Sequence, residues 1–450
     1  MPMRFESFEE ILAYYSAHTP AACALIYDDG AALRRCSYGA LYSAVHARAA
    51  QLAAGGKTSL AILADGSFEC VVEIFAANIA GLQIAMLDAA AEPSALSALI
   101  KYTDADCVWG DAEASAALAP ALTAGVADGR DRLLFFTSGT MSASTAVALT
   151  GHSLCQSAYN GGAMLPLRAE DVLMCMLPLG HVFGFVCGLL WGLSCGCAVA
   201  LGRGARHYVD DLAHFRPTAL SAVPSLLRML VGLSLLNDEL ALVLVGAGDC
   251  PRELIAAVQA QGRRVCFGYG LTETSSGVAI SVRDDPFEME VCPDDELRIA
   301  PDGEIIIRAP GCMMQGYYKC PEDTRRVLRD GELYTGDLGR IEANGRLRII
   351  GRKKEILVLA DGTKLFLPEY EAALLAAVGE GELAAALKNG RPCLIYHGAL
   401  DEDELWRRLS PLMARYPRAQ QLAHIVRAAS PLPRTAAGKL MRWQLAALVE

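Results

Sequence analysis

Two short runs stand out for the chemistry their residue types allow. Thr137-Ser138-Gly139-Thr140-Met141-Ser142-Ala143-Ser144-Thr145 follows an apolar, strand-like stretch, Leu133 to Phe136. A hydroxyl-rich loop with a glycine, placed after a strand, turns backbone N–H groups and hydroxyls toward phosphate. It lacks the Gly-Lys-Ser/Thr of a Walker loop, and a Ser/Thr/Gly cluster is equally the mark of a plain loop. The second run, Pro433-Arg434-Thr435-Ala436-Ala437-Gly438-Lys439-Leu440-Met441-Arg442, holds a lone lysine behind a glycine. By itself such a lysine is a solvated surface charge. Cys195-Gly196-Cys197 could take a soft metal, but no second Cys/His pair at ligand spacing accompanies it.

Three further motifs lie between the two runs: Tyr269-Gly270-Leu271-Thr272-Glu273-Thr274, Tyr334-Thr335-Gly336-Asp337 and Gly351-Arg352-Lys353-Lys354. In that order the set resembles the adenylate-forming ligases, which comprise acyl-CoA synthetases, peptide-synthetase adenylation domains and luciferases. The matches run from about Thr137 to Arg442, and Tyr38 through Asp88 resembles the family's N-terminal subdomain. The resemblance implies activation of a carboxylic acid by ATP. It assigns phosphate binding to Thr137, Ser138, Gly139 and Thr140, and the adenine side to Gly246, Ala247 and Gly248, small residues that let a flat ring approach the backbone. Tyr269, followed by Gly270, would stack on that ring. Thr272 would donate to the α-phosphate, and Glu273 would hold Mg²⁺, which takes a few carboxylate oxygens together with phosphates. Asp337 would accept from both ribose hydroxyls, with Arg352 a planar donor near the same sugar. His181, in Pro178-Leu179-Gly180-His181-Val182-Phe183-Gly184, is either a gate beside the substrate carboxylate or a satisfied core histidine. Lys439 would touch both carboxylate and α-phosphate as they approach, and its loss should cost about 10²–10³ in adenylation rate. Lys354 takes the hinge position, and Gly362 would lie beside the thiol channel, where a side chain would obstruct entry.

The chain departs from the family where the phosphate loop normally ends in Gly-x-Pro-Lys: Ser142 replaces the glycine and Thr145 the lysine. That removes one charge-assisted contact to the leaving phosphates, worth about 1.5–3 kcal/mol. Amino-acid-activating relatives carry an Asp near Phe183-Gly184-Phe185-Val186 and this chain has none, so an ammonium would be buried unpaired. A fatty or aryl acid suits the pocket better. Gly351 to Leu359 is written most like the fatty-acyl branch, which tilts the expectation toward a medium- or long-chain acid, transferred from acyl-AMP to CoA. Loading of an acyl carrier protein's phosphopantetheine and aryl acid–CoA ligation are the alternatives. So, from another class, is a degenerate nucleotide or acyl-AMP binding module without turnover.

Those residues need elements to position them. Helix-like Leu41–Leu52, strand-like Ser59–Leu63 and helix-like Phe68–Ala80 begin a βα rhythm. It recurs as Leu133–Phe136, a helix after Thr150, Ala241–Val245, Arg252–Gln261 and Val265–Tyr269, the pattern of parallel sheets covered by helices. Beyond Ser281, short alternating strands at Glu296–Ile299, Glu304–Ile307 and Leu347–Ile350, with turns at Pro301-Asp302-Gly303 and Asn344-Gly345, predict a small β-rich unit. The expected fold is α/β: residues 1–353 form a large AMP-binding domain of parallel and mixed sheets with a β-rich subdomain. Residues 354–450 form a mobile α+β domain carrying Lys439, whose rotation serves the two half-reactions.

Composition supports a packed, globular chain: 53% of the 450 residues are hydrophobic and 20% charged, with no low-complexity tract. A net charge of -11 argues against nucleic acid as a partner. The 15 cysteines are scattered, among them Cys70, Cys107, Cys175, Cys187 and Cys266 in apolar surroundings, and read as small buried hydrophobes. No secretory signal is visible at the start, so the expected location is the cytoplasm. Val172 to Gly202 lacks Asp, Glu, Lys and Arg, yet Pro178, His181 and repeated glycines make it a poor membrane span. Two buried elements joined by a functional loop are expected instead.

Overall fold

Alternation along Ser59–Ala64 explains the central architecture. Leu60 and Ile62 enter one core while Ala61 and Leu63 enter another, so the strand is covered on both faces, as parallel strands require. In the computed structural model, which describes residues 3–123, 131–137, 145–248, 250–283, 285–359, 361–434 and 440–449, this strand belongs to a six-stranded sheet. Its order is Gly316–Tyr317, Thr145–Leu149, Leu133–Thr137, Gln83–Asp88, Ser59–Ala64, Cys107–Trp109. The last four are mutually parallel, and Thr145–Leu149 returns antiparallel to Leu133–Thr137 with Thr137 opposite Thr145.

A nine-stranded sheet lies beside it, in the order Glu290–Val291, Ser276–Ile280, Arg264–Leu271, Leu242–Val245, Ala219–Ala222, Val172–Cys175, Ala198–Leu201, Cys23–Asp28, Leu33–Ser37. Its six central strands, from Arg264–Leu271 to Cys23–Asp28, run parallel. The two sheets share a core: Leu60, Ile84 and Phe135 from one join Leu25, Leu173, Val199 and Val278 from the other, around Phe75, Leu154 and Phe185 of intervening helices. Helix Tyr38–Ala54 is capped by Ser37, and helix Gly151–Met164 by a reciprocal Thr150–Ser153 capping box.

The charge-free stretch departs from the expected pair of elements. It forms strand Val172–Cys175, one continuous helical segment from Val182 to Cys195 with a π turn at Val186–Leu190, and strand Ala198–Leu201. The glycines do not break the helix; they form its contact face. A Cβ on Gly184 would stand 2.3 Å from the Pro178 carbonyl oxygen, and one on Gly192 2.6 Å from Val199. Spaced one turn apart, Gly184, Gly188 and Gly192 let the helix lie against the strands without side chains between. Among the described residues no helix is long and apolar enough to cross a membrane.

The β-rich unit is a five-stranded sheet built from Glu296–Ile299, Glu304–Arg308, Glu332–Ile341, Leu328–Arg329 and Leu347–Arg352. After it come a two-stranded hairpin, Ile356–Val358 with Lys364–Phe366, and a three-stranded sheet of Glu382–Lys388, Arg391–His397 and His424–Arg427. Helices Leu367–Val378 and Glu402–Met413 cover this last sheet through Tyr370, Leu374, Leu405 and Leu409.

Candidate active site

Three strands from two sheets bring their side chains together. Tyr269 lies in Arg264–Leu271, on the flank of the nine-stranded sheet. Asp337 and Arg352 are directly opposed Cα partners in the five-stranded sheet. The Tyr269 hydroxyl donates to Asp337 Oδ2 at 2.9 Å, and Arg352 Nε lies 3.1 Å from Asp337 Oδ1. Asp337 is 5% exposed and Tyr269 9%, so the contacts orient a buried carboxylate. A carboxylate has about four acceptor positions, which suits it to accept from a ligand's hydroxyls beside protein donors. Burial, and next the Asp337 charge, push the Tyr269 phenol well above its ordinary range, which keeps it a donor.

Thr272 and Glu273 form a single 3-10 turn with Thr274 directly after that strand. Ser275 and Ser276 follow with φ of 53° and 116°, left-handed backbone in non-glycine residues, a costly arrangement of the kind that collects at functional sites. Glu273 Oε1 accepts a 2.6 Å hydrogen bond from the Tyr317 hydroxyl, and the Glu273 carbonyl accepts from Met314 N. Oε2 takes no hydrogen bond from the described residues. A half-buried carboxylate with one oxygen fixed and the other available fits a hard divalent cation. Burial, and next the Glu273 charge, raise the Tyr317 phenol far above its usual value.

Gly246 ends strand Leu242–Val245 with its backbone against Phe183: a Cβ there would stand 2.9 Å from the ring. Ala247 adopts φ of 62°, and Ala247 and Gly248 are exposed. This brings the small-residue loop onto the loop that carries His181. His181 is exposed and begins the helix at Val182, its N–H bonded to the Pro178 carbonyl; the core-histidine reading is therefore excluded. Cys187 on that helix places its thiol 3.4 Å from Ser276 Oγ and its carbonyl on Ser221 Oγ. Burial pushes the thiol up to about 11, so it stays neutral.

Thr137 ends its strand, with Oγ1 donating to the Thr145 carbonyl at 3.4 Å. Ser138, Gly139, Thr140, Ser142, Asp249 and Lys439 lie outside the described residues. Both legs of the Lys439 run are placed: Arg434 bridges Leu440, and Met441 N donates to the Pro433 carbonyl. Arg442 makes a two-pronged pair with Glu371, at 2.9 and 2.7 Å. Lys354 is exposed in the turn Lys353–Glu355, whose first residue is tied back to Asp302 and Glu304. Gly270 meets its neighbour closely, since a Cβ would fall 1.6 Å from the Ser276 carbonyl oxygen. At Gly362 a Cβ would meet nothing within 4 Å, and φ of 83° in a tight turn calls for glycine.

The sequence reading missed Tyr317, Cys187 and Ser276. Only Gly316-Tyr317-Tyr318, a conspicuous aromatic pair beside a glycine, could have flagged the first. None of the expected site residues lines the two mapped cavities. One, of about 300 Å³, is bounded by Arg4, His152, Asn160, Asp294, Asp295 and Cys312; the other, of about 400 Å³, by Arg252 and Phe287 among others. All fifteen cysteines are free thiols, and no group of three metal-ligating side chains occurs among the described residues.

Comparison with known proteins bears on the same regions. Residues 126–318 match the model of the family described as AMP-binding enzyme. A 2-succinylbenzoate–CoA ligase of Bacillus cytotoxicus is 27% identical over 70% of each chain. Among solved structures, the O-succinylbenzoate coenzyme A synthetase of Bacillus subtilis in complex with AMP superposes with a TM-score of 0.81, 23% identity and 97% of each chain covered. The anthranilate CoA ligase AuaEII in complex with anthranoyl-AMP gives a TM-score of 0.80 at 17% identity, over 100% of this chain and 98% of that one.

Proposed function

We propose that the chain is a member of the AMP-binding enzyme family, whose model matches residues 126–318, and that it is an acid–CoA ligase. A carboxylic acid and MgATP give acyl-AMP and pyrophosphate, and a thiol, CoA, then displaces AMP. The observation that carries the reading is the buried Asp337 carboxylate, held by Tyr269 on one oxygen and Arg352 on the other. Such a group recognises vicinal hydroxyls, and it sits where the two sheets meet the turn bearing Thr272 and Glu273.

In this reading Asp337 and Arg352 bind the ribose, and Gly246 to Gly248 lie along the adenine. Thr272 donates to the α-phosphate. Glu273 would hold Mg²⁺, which when bound offsets phosphate charge during transfer. Lys439 brings a cation to the point where carboxylate and α-phosphate approach, lowering the repulsion between two anions. Residues 354–450 act as a second domain that turns at Lys354 between the half-reactions, with Arg442–Glu371 anchoring the Lys439 run. His181 stands at the mouth as a gate. Thr137 to Thr140 hold the leaving phosphates without the family lysine, since position 145 is Thr.

We take the acid to carry a ring. The relatives reported above are named for 2-succinylbenzoate and anthranilate, and no carboxylate stands among Phe183 to Val186 to meet an ammonium. A medium- or long-chain fatty acid is the second reading, favoured by the wording of Gly351 to Leu359. Acid-dependent pyrophosphate release with MgATP, over aryl, aliphatic and amino acids with and without CoA, tests both. Release with ring-bearing acids and a CoA requirement for turnover supports the first. Release confined to aliphatic acids moves the assignment to the second, and none from any acid in folded, ATP-binding protein points to a binding module.

A further inference from the structure

Tyr317 belongs to no motif identified in the sequence, yet it joins three parts of the site. Its strand, Gly316–Tyr317, pairs with Thr145–Leu149, the strand that leaves the hydroxyl-rich loop, with Tyr317 opposite Val147. The Tyr317 N–H donates to Thr324 Oγ1 at 2.8 Å, which fixes the backbone on its far side. From that frame the phenol reaches Glu273 Oε1 at 2.6 Å. Just upstream on the same segment, Met314 N holds the Glu273 carbonyl at 2.8 Å. Both the side chain and the backbone of Glu273 are thus set by residues 314–317, which lie far from it in sequence.

We propose that Tyr317 is a positioning residue for divalent-cation binding: its hydroxyl fixes Glu273 so that Oε2 faces the nucleotide side. The proposal rests on the assignment of Glu273 as the metal-side carboxylate. A glutamate has three rotatable side-chain bonds, and without a partner its carboxylate must be ordered when the cation arrives. A hydrogen bond from a phenol already anchored in a sheet removes most of that cost, as residues that orient metal ligands generally do. The hydrogen bond uses one lone pair of Oε1 and leaves both of those on Oε2, so Oε2 is the less encumbered donor for a cation.

The test is Mn²⁺ binding to the full chain in the presence of ATP, read by the electron paramagnetic resonance of free Mn²⁺. Tyr317→Phe keeps the ring and removes only the hydroxyl. It should weaken Mn²⁺ binding about tenfold, the lower end for residues that orient metal ligands, and leave metal-free ATP binding unchanged. Glu273→Gln should weaken Mn²⁺ binding at least as much. Wild-type Mn²⁺ binding in Tyr317→Phe beside a defect in Glu273→Gln would overturn the positioning role alone, even if the melting temperature fell. Wild-type binding in Glu273→Gln would instead remove the premise, and the role of Tyr317 with it.

Discussion

Tyr269 supplies the sharpest test of how the nucleotide is held, because its ring and its hydroxyl make separable contributions. Tyr269→Phe deletes one hydrogen bond to Asp337, a carboxylate only 5% exposed, and leaves the ring in place. A hydrogen bond to a charged group is worth about 1.5–3 kcal/mol. Arg352 remains 3.1 Å from the other oxygen, and water or a ribose hydroxyl can take part of the vacated position, so about 1–2 kcal/mol should be lost. That corresponds to a rise in KM for ATP of about five- to thirtyfold. Tyr269→Leu should lose this and about 1–3 kcal/mol of stacking as well. Arg352 is 55% exposed at its side chain, so Arg352→Gln alone should cost less than Tyr269→Phe. The double variant should be non-additive, because both residues act on one carboxylate. The assay is initial-rate pyrophosphate release against ATP concentration, with the acid saturating. A Tyr269→Phe enzyme within twofold of wild type, beside a Tyr269→Leu enzyme impaired tenfold or more, would refute the orienting role and leave stacking as the whole function of the residue.

Three further outcomes follow from other parts of the molecule. Arg442→Met leaves Glu371 with only the Ala385 N–H of its present donors, in a pair with side chains 27% and 15% exposed. It should destabilise the C-terminal unit by about 2–3 kcal/mol in urea titration and slow pyrophosphate release more than thiol transfer from supplied acyl-AMP. Asp295, in the cavity beside Arg4 and His152, has its carboxyl pushed up to about 7 by burial and next by Asp294, against the Asn160 hydrogen bond. A folded-state value above the unfolded one favours the folded chain below about pH 4 and is lost as pH rises toward 7. Asp295→Asn should therefore raise the melting temperature at pH 8 and make no difference near pH 4, and an equal effect at both would contradict the assignment. Ser157 is 3% exposed and its hydroxyl has no hydrogen-bond partner among the described residues; Ser157→Ala should be neutral or stabilising by up to about 1 kcal/mol in thermal melts.

Much of this was legible in the residues themselves, because local rules act over a few positions. Strand Glu296–Ile299 ends where alternation and the Pro301-Asp302-Gly303 turn require, and Thr150 caps its helix as a threonine before a helical pattern should. The run from Tyr269 to Thr274 and the residues Asp337 and Arg352 could be named as candidate site residues through the family resemblance that their order carries. The charge-free stretch was harder: glycines at four-residue spacing read equally as helix breakers or as a packing stripe, and only the Val199 and Pro178 atoms waiting at the missing Cβ positions decide for the stripe.

What the chain by itself determined was therefore the element alternation, the turn chemistry and the inventory of candidate groups for binding a nucleotide. Tertiary structure decided which of those groups touch. Tyr269 meets Asp337 across 68 positions, Tyr317 meets Glu273 across 44, and His181 turns outward though its sequence neighbours are buried. Each depends on the register and order of strands in separate sheets. Periodicity and spacing act within a segment, whereas a hydrogen bond between segments is set by how whole cores pack, and no local pattern encodes that distance.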